Sequence, residues 1–156
     1  DIFSTNSIFK SQTALIWFSN WLILNAFIVN IGIEFEITVN SNYNSNEVLL
    51  LCINELKEYF SIDKWQINQP IVLSDIAYVI SLVDGVISVV PPQDNNPNKN
   101  IVVIENKHKV ASGYSGNVYD LDSATRDGVV YTSLDPSIFE LKYPNLDIEG
   151  RVVGDK

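Results

Sequence analysis

The chain has 156 residues and a formal net charge of −9, with 46% hydrophobic and 19% charged residues. This length fits one ordinary domain with a small appendage, and the apolar fraction suffices for a packed core without disulfides or metals. The acidic balance disfavours nucleic acid as a partner, because counterion release requires a row of cations, and it opposes adsorption to anionic membranes. The sequence contains no methionine, and we expect a further amino-terminal portion in the natural protein.

The first element in chain order is strongly apolar. Residues 7–24 predict a helix that is apolar nearly all round and carries Trp17 and Trp21. The wider stretch 14–37 has the length of a membrane span, which requires about 20 mostly apolar residues. Three asparagines interrupt this stretch and two glutamates end it, so we expect no membrane span, and we see no secretory signal either.

Residues 29–39 alternate between apolar residues and polar residues or glycine. A period of two is typical of a strand with one buried face and one solvated face. Glu34 and Glu36 project from the solvated face, roughly 7 Å apart by strand rise, a separation close to that used by glycosidases. A carbohydrate hydrolase is therefore one hypothesis, although any amphipathic strand with two solvated glutamates has this geometry.

A polar turn over residues 41–45 leads to a predicted helix over residues 46–60, with Asn46 as the N-cap and Glu47 at the positive end of the helix dipole. One stripe of this helix is predicted to face the sheet. The stripe consists of Leu49, Cys52, Ile53, Leu56 and Phe60. Cys52 is the only cysteine of the sequence, which excludes an intrachain disulfide and predicts a small buried side chain.

The next segment is extended up to Pro70, which restricts the residue before it. Ser74 is predicted to cap a short helix with Asp75 in its first turn, and Gly85 is predicted to terminate it in the left-handed conformation. Residues 86–90 form a β-branched run that predicts a strand, and two prolines end it.

Beyond residue 92 the composition changes to a Pro/Asn loop over residues 93–100. Short strands are predicted after it, with Asp127-Gly128 as a turn signal, and residues 112–123 are expected to be irregular. The predicted strands cover residues 101–105, 129–131, 138–143 and 150–153. The fold class predicted is α+β: a small sandwich of helices packed on a sheet over residues 1–92, followed by an irregular β-rich carboxy-terminal extension over residues 93–156 that packs on it.

The order of motifs between Asn46 and Val90 resembles the carboxy-terminal domain of baseplate J proteins. The matching motifs are Tyr59-Phe60 at a helix end, the Asn68-Gln69-Pro70 step, Leu73-Ser74-Asp75-Ile76 at a helix start, and Asp84-Gly85-Val86 before a strand. The tail is similar to the end of wedge proteins of T-even-type phages. The segments that carry this similarity are Gly113-Tyr114-Ser115, Asn117-Val118-Tyr119-Asp120, Leu134-Asp135-Pro136-Ser137-Ile138-Phe139-Glu140 and Gly150-Arg151-Val152-Val153.

The resemblance implies a structural protein of the virion, located in the tail baseplate and assembled in the host cytoplasm. It implies a homodimer that joins neighbouring wedges, with other wedge subunits as partners and with no catalytic activity, cofactor, metal or small-molecule substrate. A related contractile machine, such as a type VI secretion baseplate, is the alternative. Aromatic residues without an evident core role are the candidate interface residues, and ordinary core packing is the alternative for each. They are Trp17, Trp21, Trp65, Phe139 and Tyr143.

Other chemistry finds little support in the sequence. His108, the only histidine, lies between two lysines, and no nucleophile with a matched base or phosphate-binding glycine loop is visible. Asp120, Asp122 and Asp127 lack the alternating acidic pattern of a calcium loop. We therefore predict no catalytic, cofactor-binding or metal-binding residues.

Overall fold

The structure is a computed structural model that describes residues 26–93, 100–133 and 136–154. The predicted helix over residues 7–24, with Trp17 and Trp21, lies outside the described residues, as does most of the predicted loop over residues 93–100. In the described ranges, four helices and eight strands confirm the α+β class, with helices packed against a sheet. No helix within these ranges is long and apolar enough to cross a membrane.

The elements begin with one long strand and end with one of five residues. In chain order they are β1 (Phe27–Val39), α1 (Ser45–Tyr59), β2 (Ile71–Val72), α2 (Leu73–Ser81), β3 (Val86–Val90), β4 (Val103–Asn106), a 3-10 turn (Val110–Ser112), α3 (Leu121–Ala124), β5 (Thr125–Arg126), β6 (Val129–Val130), β7 (Ser137–Glu140), α4 (Pro144–Asp147) and β8 (Ile148–Val152). The four strands predicted in the tail correspond to β4, β6, β7 and β8, although their ends differ from the predicted ones. The two-residue strands β2 and β5 were not predicted from the sequence.

Strand β1 is the centre of a five-stranded sheet, because each of the other four strands pairs with it. β3 and β4 run antiparallel to β1, whereas β7 and β8 run parallel to it. Ile33 and Glu34 pair with both β4 and β8, and Glu36 and Ile37 pair with both β3 and β8. Since a strand residue has one neighbour on each side, β3 and β4 flank one side of β1, and β8 flanks the other. Segments before and after residue 93 therefore build one sheet.

One face of β1 forms the centre of the hydrophobic core. Its residues are Val29, Ile31, Ile33, Phe35, Ile37 and Val39, none more than 7% exposed. Helix α1 packs on this core with Val48, Cys52 and Leu56. The predicted stripe is confirmed for Cys52, Leu56 and Phe60, which are buried, whereas Leu49 and Ile53 are half-buried and Val48 was not predicted. Gly150 of β8 lies directly beside Phe35, where a Cβ atom would come within 2.5 Å of the ring. The apolar alternation of β1 is thus matched by helix α1 on the same face.

The opposite face of β1 departs from the sequence prediction of a solvated surface. That prediction is wrong for Asn30, Gly32 and Glu36, which are buried; Asn30 is 1% exposed and Glu36 is 3% exposed. Segments far along the chain cover this face. The backbone N–H of Gln93 donates to Glu36 Oε2 at 3.2 Å, and that of Ser115 donates to Asn30 Oδ1 at 2.8 Å. The central position of β1 therefore buries both of its faces.

The two helix starts also differ from the predicted caps. Asn44, not Asn46, caps α1, because its side chain accepts from the backbone N–H groups of Asn46 (3.0 Å) and Glu47 (3.4 Å). Helix α2 starts at Leu73 without a side-chain cap. Its first backbone N–H donates instead to the carbonyl oxygen of Gly128 at 2.9 Å. A tertiary hydrogen bond thus replaces the cap assigned to Ser74.

A second, smaller sheet joins α2 to the carboxy-terminal part. Strands β2, β6 and β5 form it in that order, all antiparallel. Asp127 and Gly128 connect β5 to β6 with positive φ angles of 52° and 76°, which confirms the predicted turn. Two successive positive φ angles are typical of a type I′ hairpin. The segment predicted to be irregular, residues 112–123, includes the end of the 3-10 turn and the start of α3.

Replacing Gly85 with alanine is expected to destabilise the fold by about 2 kcal/mol. The φ of Gly85 is 95°, which confirms the predicted left-handed conformation, but α2 ends at Ser81 with Leu82 as its C-cap, so the prediction that Gly85 terminates the helix is wrong. A Cβ atom at Gly85 would lie 2.8 Å from side-chain atoms of Tyr43 and Val48. Urea denaturation measures the loss. Gly128→Ala is the matched control, since its φ is 76° but no atom lies within 4 Å of the added Cβ; it should cost about 1 kcal/mol. Equal losses in the two variants would contradict the role of crowding at Gly85.

Candidate functional site

The carboxylate pair singled out in the sequence lies on the polar face of β1 and is bridged by one guanidinium. Arg151 of β8 places Nη2 3.0 Å from Glu34 Oε1 and Nη1 3.6 Å from Glu36 Oε1. The two glutamate side chains are 17% and 4% exposed, whereas that of Arg151 is 58% exposed. Because Arg151 contacts both carboxylates, the arrangement holds β8 against β1, and this geometry favours a structural role for the pair.

Asn30 connects the same face to the segment that follows β4. Its Oδ1 accepts from the backbone N–H of Ser115, and its carbonyl oxygen accepts from Asn106 Nδ2 at 3.1 Å. Ser115 Oγ and Asn117 Nδ2 both donate to the carbonyl oxygen of Ile28, at 2.9 Å and 2.8 Å. Side chains thus replace a strand ladder here, and they satisfy backbone groups that an edge would leave unpaired.

Tyr114 ties this segment to α4. Its hydroxyl donates to Asp147 Oδ1 at 2.6 Å, and this hydrogen bond is the main reason that the pKa of Tyr114 rises to about 12. Asp147 is 3% exposed, and its Oδ2 has no hydrogen-bond partner among the described residues. The Tyr114 hydroxyl therefore supplies a side-chain hydrogen bond to this buried carboxylate.

Tyr114→Phe is expected to cost about 1–2 kcal/mol, because a buried carboxylate loses its donor. A raised pKa means that the neutral tyrosine is stabilised in the folded state. Its contribution is complete below pH 10, the ordinary value, and is lost as the pH rises towards 12. Urea denaturation across this range should show a decline in the parent protein that the variant lacks. Tyr78→Phe, at a side chain 64% exposed, is the control. An unchanged alkaline decline in Tyr114→Phe would contradict the assignment.

The structure places the candidate interface aromatics in separate environments. Trp65 is 7% exposed, with its ring centroid 4.7 Å from Phe60 and 5.8 Å from Tyr59. Phe139 is 2% exposed in β7. Tyr143 precedes α4 and packs its ring edgewise on Tyr114 at 5.4 Å. Trp65 and Phe139 thus pack within the chain itself, and their participation in an interface stays a prediction.

A cleft of about 740 Å³ lies between β4 and the smaller sheet. Its lining includes Glu105, Asp120, Asp122 and Asp127, so the surface is acidic. Asp120 caps α3, and hydrogen bonds from Ser123 lower the pKa of its carboxyl group. Within the described ranges, no group of three or more histidine, cysteine, aspartate or glutamate side chains is arranged to hold a metal ion.

Sequence reasoning did not identify the polar network on β1. Asp147 and Arg151 are four residues apart, whereas Tyr114 lies 33 positions before Asp147. Tyr114 and Arg151 entered the sequence analysis only through the motifs of the resemblance, which assign them no role in such a network. One signal was available in Asn30, a polar residue among β-branched neighbours in the longest apolar stretch. A polar side chain there requires partners if the strand is central.

The geometry defines an α+β protein with two main helices on one face of a mixed sheet and a polar network on the other. No protein-family model matches the sequence, and no curated protein matches it.

Proposed function

We propose that this chain is a structural assembly module of a contractile phage tail baseplate, which dimerises and joins neighbouring wedges. The observation that supports this proposal is the motif order from Tyr59-Phe60 through Asp84-Gly85-Val86. Three of the four motifs coincide with the element that the resemblance implies: a helix end, a short helix and a glycine turn before a strand. The Asn68-Gln69-Pro70 step does not, because Asn68 lies in a turn with a φ of 61° and not in an extended link.

Exposed apolar side chains on the surface of the chain are available for contacts with other subunits. Leu50 and Leu51 of α1 are 57% and 50% exposed, and Leu82 and Ile87, which flank the turn at Gly85, are 63% and 58% exposed. The core of a protein interface is depleted in charge and rich in apolar area. These two pairs therefore support an assembly function.

The arrangement of Glu34 and Glu36 does not favour the hydrolase hypothesis, since Arg151 contacts both carboxylates. If the chain is a hydrolase, it has a measurable activity on cell-wall glycans. Loss of such an activity on changing Glu34 or Glu36 to glutamine would overturn the assembly proposal.

The mass of the chain in solution tests the homodimer. Light scattering over a concentration series should give about twice the 17.5 kDa of one chain, persisting on dilution. Leu51→Ser should weaken the dimer if α1 lies in the interface, with Leu146→Ser as the control because it is 71% exposed on α4. A mass of 17.5 kDa at every concentration would contradict dimerisation by this chain.

The location in the virion requires a separate experiment. An antiserum raised against the chain should label the baseplate end of contractile-tail particles in negative-stain electron microscopy. Labelling of the baseplate of a type VI secretion apparatus would instead favour the related contractile machine. Labelling of neither assembly would contradict the proposal.

A further inference from the structure

Strand β8 has an outer edge that no other described strand covers. Within the described ranges β8 pairs with β1 alone. Directly after β8, the backbone N–H of Val153 donates to the carbonyl oxygen of Ile37 in β1 at 2.9 Å. Successive residues of a strand direct their backbone N–H and C=O groups to opposite sides, so the residues at even positions direct theirs away from β1. These residues are Ile148, Gly150 and Val152.

The unpaired backbone groups of this edge are concentrated at Gly150 and Val152. The N–H of Ile148 donates to the carbonyl oxygen of Pro144 in its own chain. No described residue bonds to the outward groups of Gly150 or Val152. β8 also contains no proline, lysine or bulge, which are features that commonly protect a strand edge. The edge is therefore open to pairing with another strand.

The sequence of β8 is complementary to itself about Gly150. In an antiparallel pair centred on this glycine, Glu149 lies opposite Arg151 of the second copy. Ile148 lies opposite Val152 of the second copy, and a two-fold axis repeats both contacts. Opposite charges directly across an antiparallel pair stabilise it, whereas like charges destabilise it. A second copy of this chain therefore matches the charges of the edge.

Both charged side chains can reach across this edge. Glu149 is exposed and forms no hydrogen bond or ion pair with any described residue. Arg151 contacts Glu34 and Glu36, yet its side chain is 58% exposed. A guanidinium has further N–H donors in the same plane. Arg151 can therefore bond a third carboxylate without leaving the first two.

Helix α1 places apolar area beside the same edge. A Cβ atom at Gly150 would lie 2.6 Å from Leu49 Cδ1, so this part of α1 lies above β8. Leu50, which is 57% exposed, follows about 100° further round the helix. Helix α2 packs on β3, across β1 from β8. The side of α1 next to β8 is therefore free to face the same side of a second copy.

We propose that two copies of this chain pair through the outer edges of β8, antiparallel and related by a two-fold axis at Gly150. The two Gly150 residues exchange backbone hydrogen bonds, and the N–H of Val152 donates to the carbonyl oxygen of Ile148 in the other copy. Glu149 and Arg151 form ion pairs across the edge, so that the five-stranded sheets of the two copies become one. The pairing rests on the homodimer of the proposed function and gives that dimer its surface.

Charge reversal at Glu149 tests the pairing. Glu149→Lys places a cation opposite Arg151 in both halves of the dimer, and we expect the dissociation constant of the dimer to rise about ten-fold or more. Sedimentation equilibrium of the full chain measures this constant, and circular dichroism verifies that the variant is folded. Glu55→Lys makes the same change in net charge at an exposed position of α1. This control should change the constant by less than about two-fold.

Val152→Pro tests the backbone hydrogen bonds of the edge. The N–H of Val152 points away from β1, so a proline at this position leaves the pairing with β1 intact. It removes a donor and blocks the approach of a second strand. We expect a variant that circular dichroism shows to be folded and that is monomeric at concentrations where the parent chain is dimeric.

The outcomes separate this pairing from the assembly function. A dimer that both variants leave unchanged would overturn the pairing and leave a homodimer through another surface. A parent chain that is monomeric at every concentration, with a lower melting temperature in Val152→Pro, would overturn it too, because the edge would then be covered within one chain. A dimer that both variants dissociate, in a chain that labels neither contractile assembly, would refute the assembly function and leave the pairing standing.

Discussion

Replacing Phe35 with alanine should lower the free energy of unfolding by about 3–5 kcal/mol, the largest loss expected from a single substitution in this chain. Phe35 is fully buried in β1, and its ring fills the space left by Gly150 in β8. Truncation removes most of the buried side chain and leaves a cavity that the neighbouring strand cannot close. Guanidinium denaturation followed by circular dichroism measures the loss.

The controls for Phe35 separate cavity formation from a general sensitivity of the chain. Phe35→Leu keeps most of the volume and should cost less than about 1.5 kcal/mol. Leu146→Ala removes an apolar side chain that is 71% exposed, and its effect should stay within about 0.5 kcal/mol. A loss below about 1 kcal/mol in Phe35→Ala would contradict the central position of β1 in the core.

The second large effect is expected from Arg151→Met, at about 2–3 kcal/mol. The reason is that the carboxyl group of Glu36, whose side chain is 4% exposed, loses the guanidinium 3.6 Å away. The value is set below that of a fully buried pair because the Arg151 side chain is 58% exposed and partly screened by solvent. Methionine preserves the unbranched apolar stem, so the loss reports the charge rather than the packing.

A double-mutant cycle isolates this interaction. In a Glu36→Gln background the buried charge is absent, and Arg151→Met should then cost less than about 1 kcal/mol. Lys64→Met is the matched control at an ion pair whose partners are both exposed, and its effect should stay within about 0.5 kcal/mol. An equal loss on removing Arg151 with and without the Glu36 charge would show that the ion pair contributes nothing.

The elements that sequence reasoning identified are those with a local cause. The alternation along β1 predicts a strand because successive side chains of a strand point to opposite faces. The apolar stripe of α1 follows from helical spacing, and Gly85 was recognised because a helix often ends on a left-handed residue. In each case the information lies within a few residues. The structure confirms the strand, the buried positions Cys52, Leu56 and Phe60 of the stripe, and the left-handed conformation of Gly85.

The errors arose where a distant segment decides the environment. Glu36 was predicted to be solvated, yet Gln93 and Arg151 cover it from positions more than fifty residues away. The start of α2 is determined by the carbonyl of Gly128 and not by Ser74. The residues around a strand do not indicate which later segment will pair with it. The entropic cost of closing a loop grows only slowly with loop length, so a distant segment can pair almost as readily as a near one.

The candidate sites follow the same division. Trp65 was selected from the sequence as an aromatic residue in a link expected to be extended. The structure has turns there, and the Trp65 ring packs on Tyr59 and Phe60 at the end of α1. The Tyr114–Asp147 hydrogen bond joins residues 33 positions apart and has no signature in either segment.

By itself the sequence determined the α+β class, the long apolar strand, the two main helices and the glycine turn, because periodicity and backbone preference act over one or two turns of chain. Only the tertiary structure decided that β1 is central, that its polar face is buried, and that β7 and β8 lie parallel to it. Those outcomes depend on which distant segments share hydrogen bonds and charges, and Arg151 beside Glu34 and Glu36 is the example with the largest expected consequence.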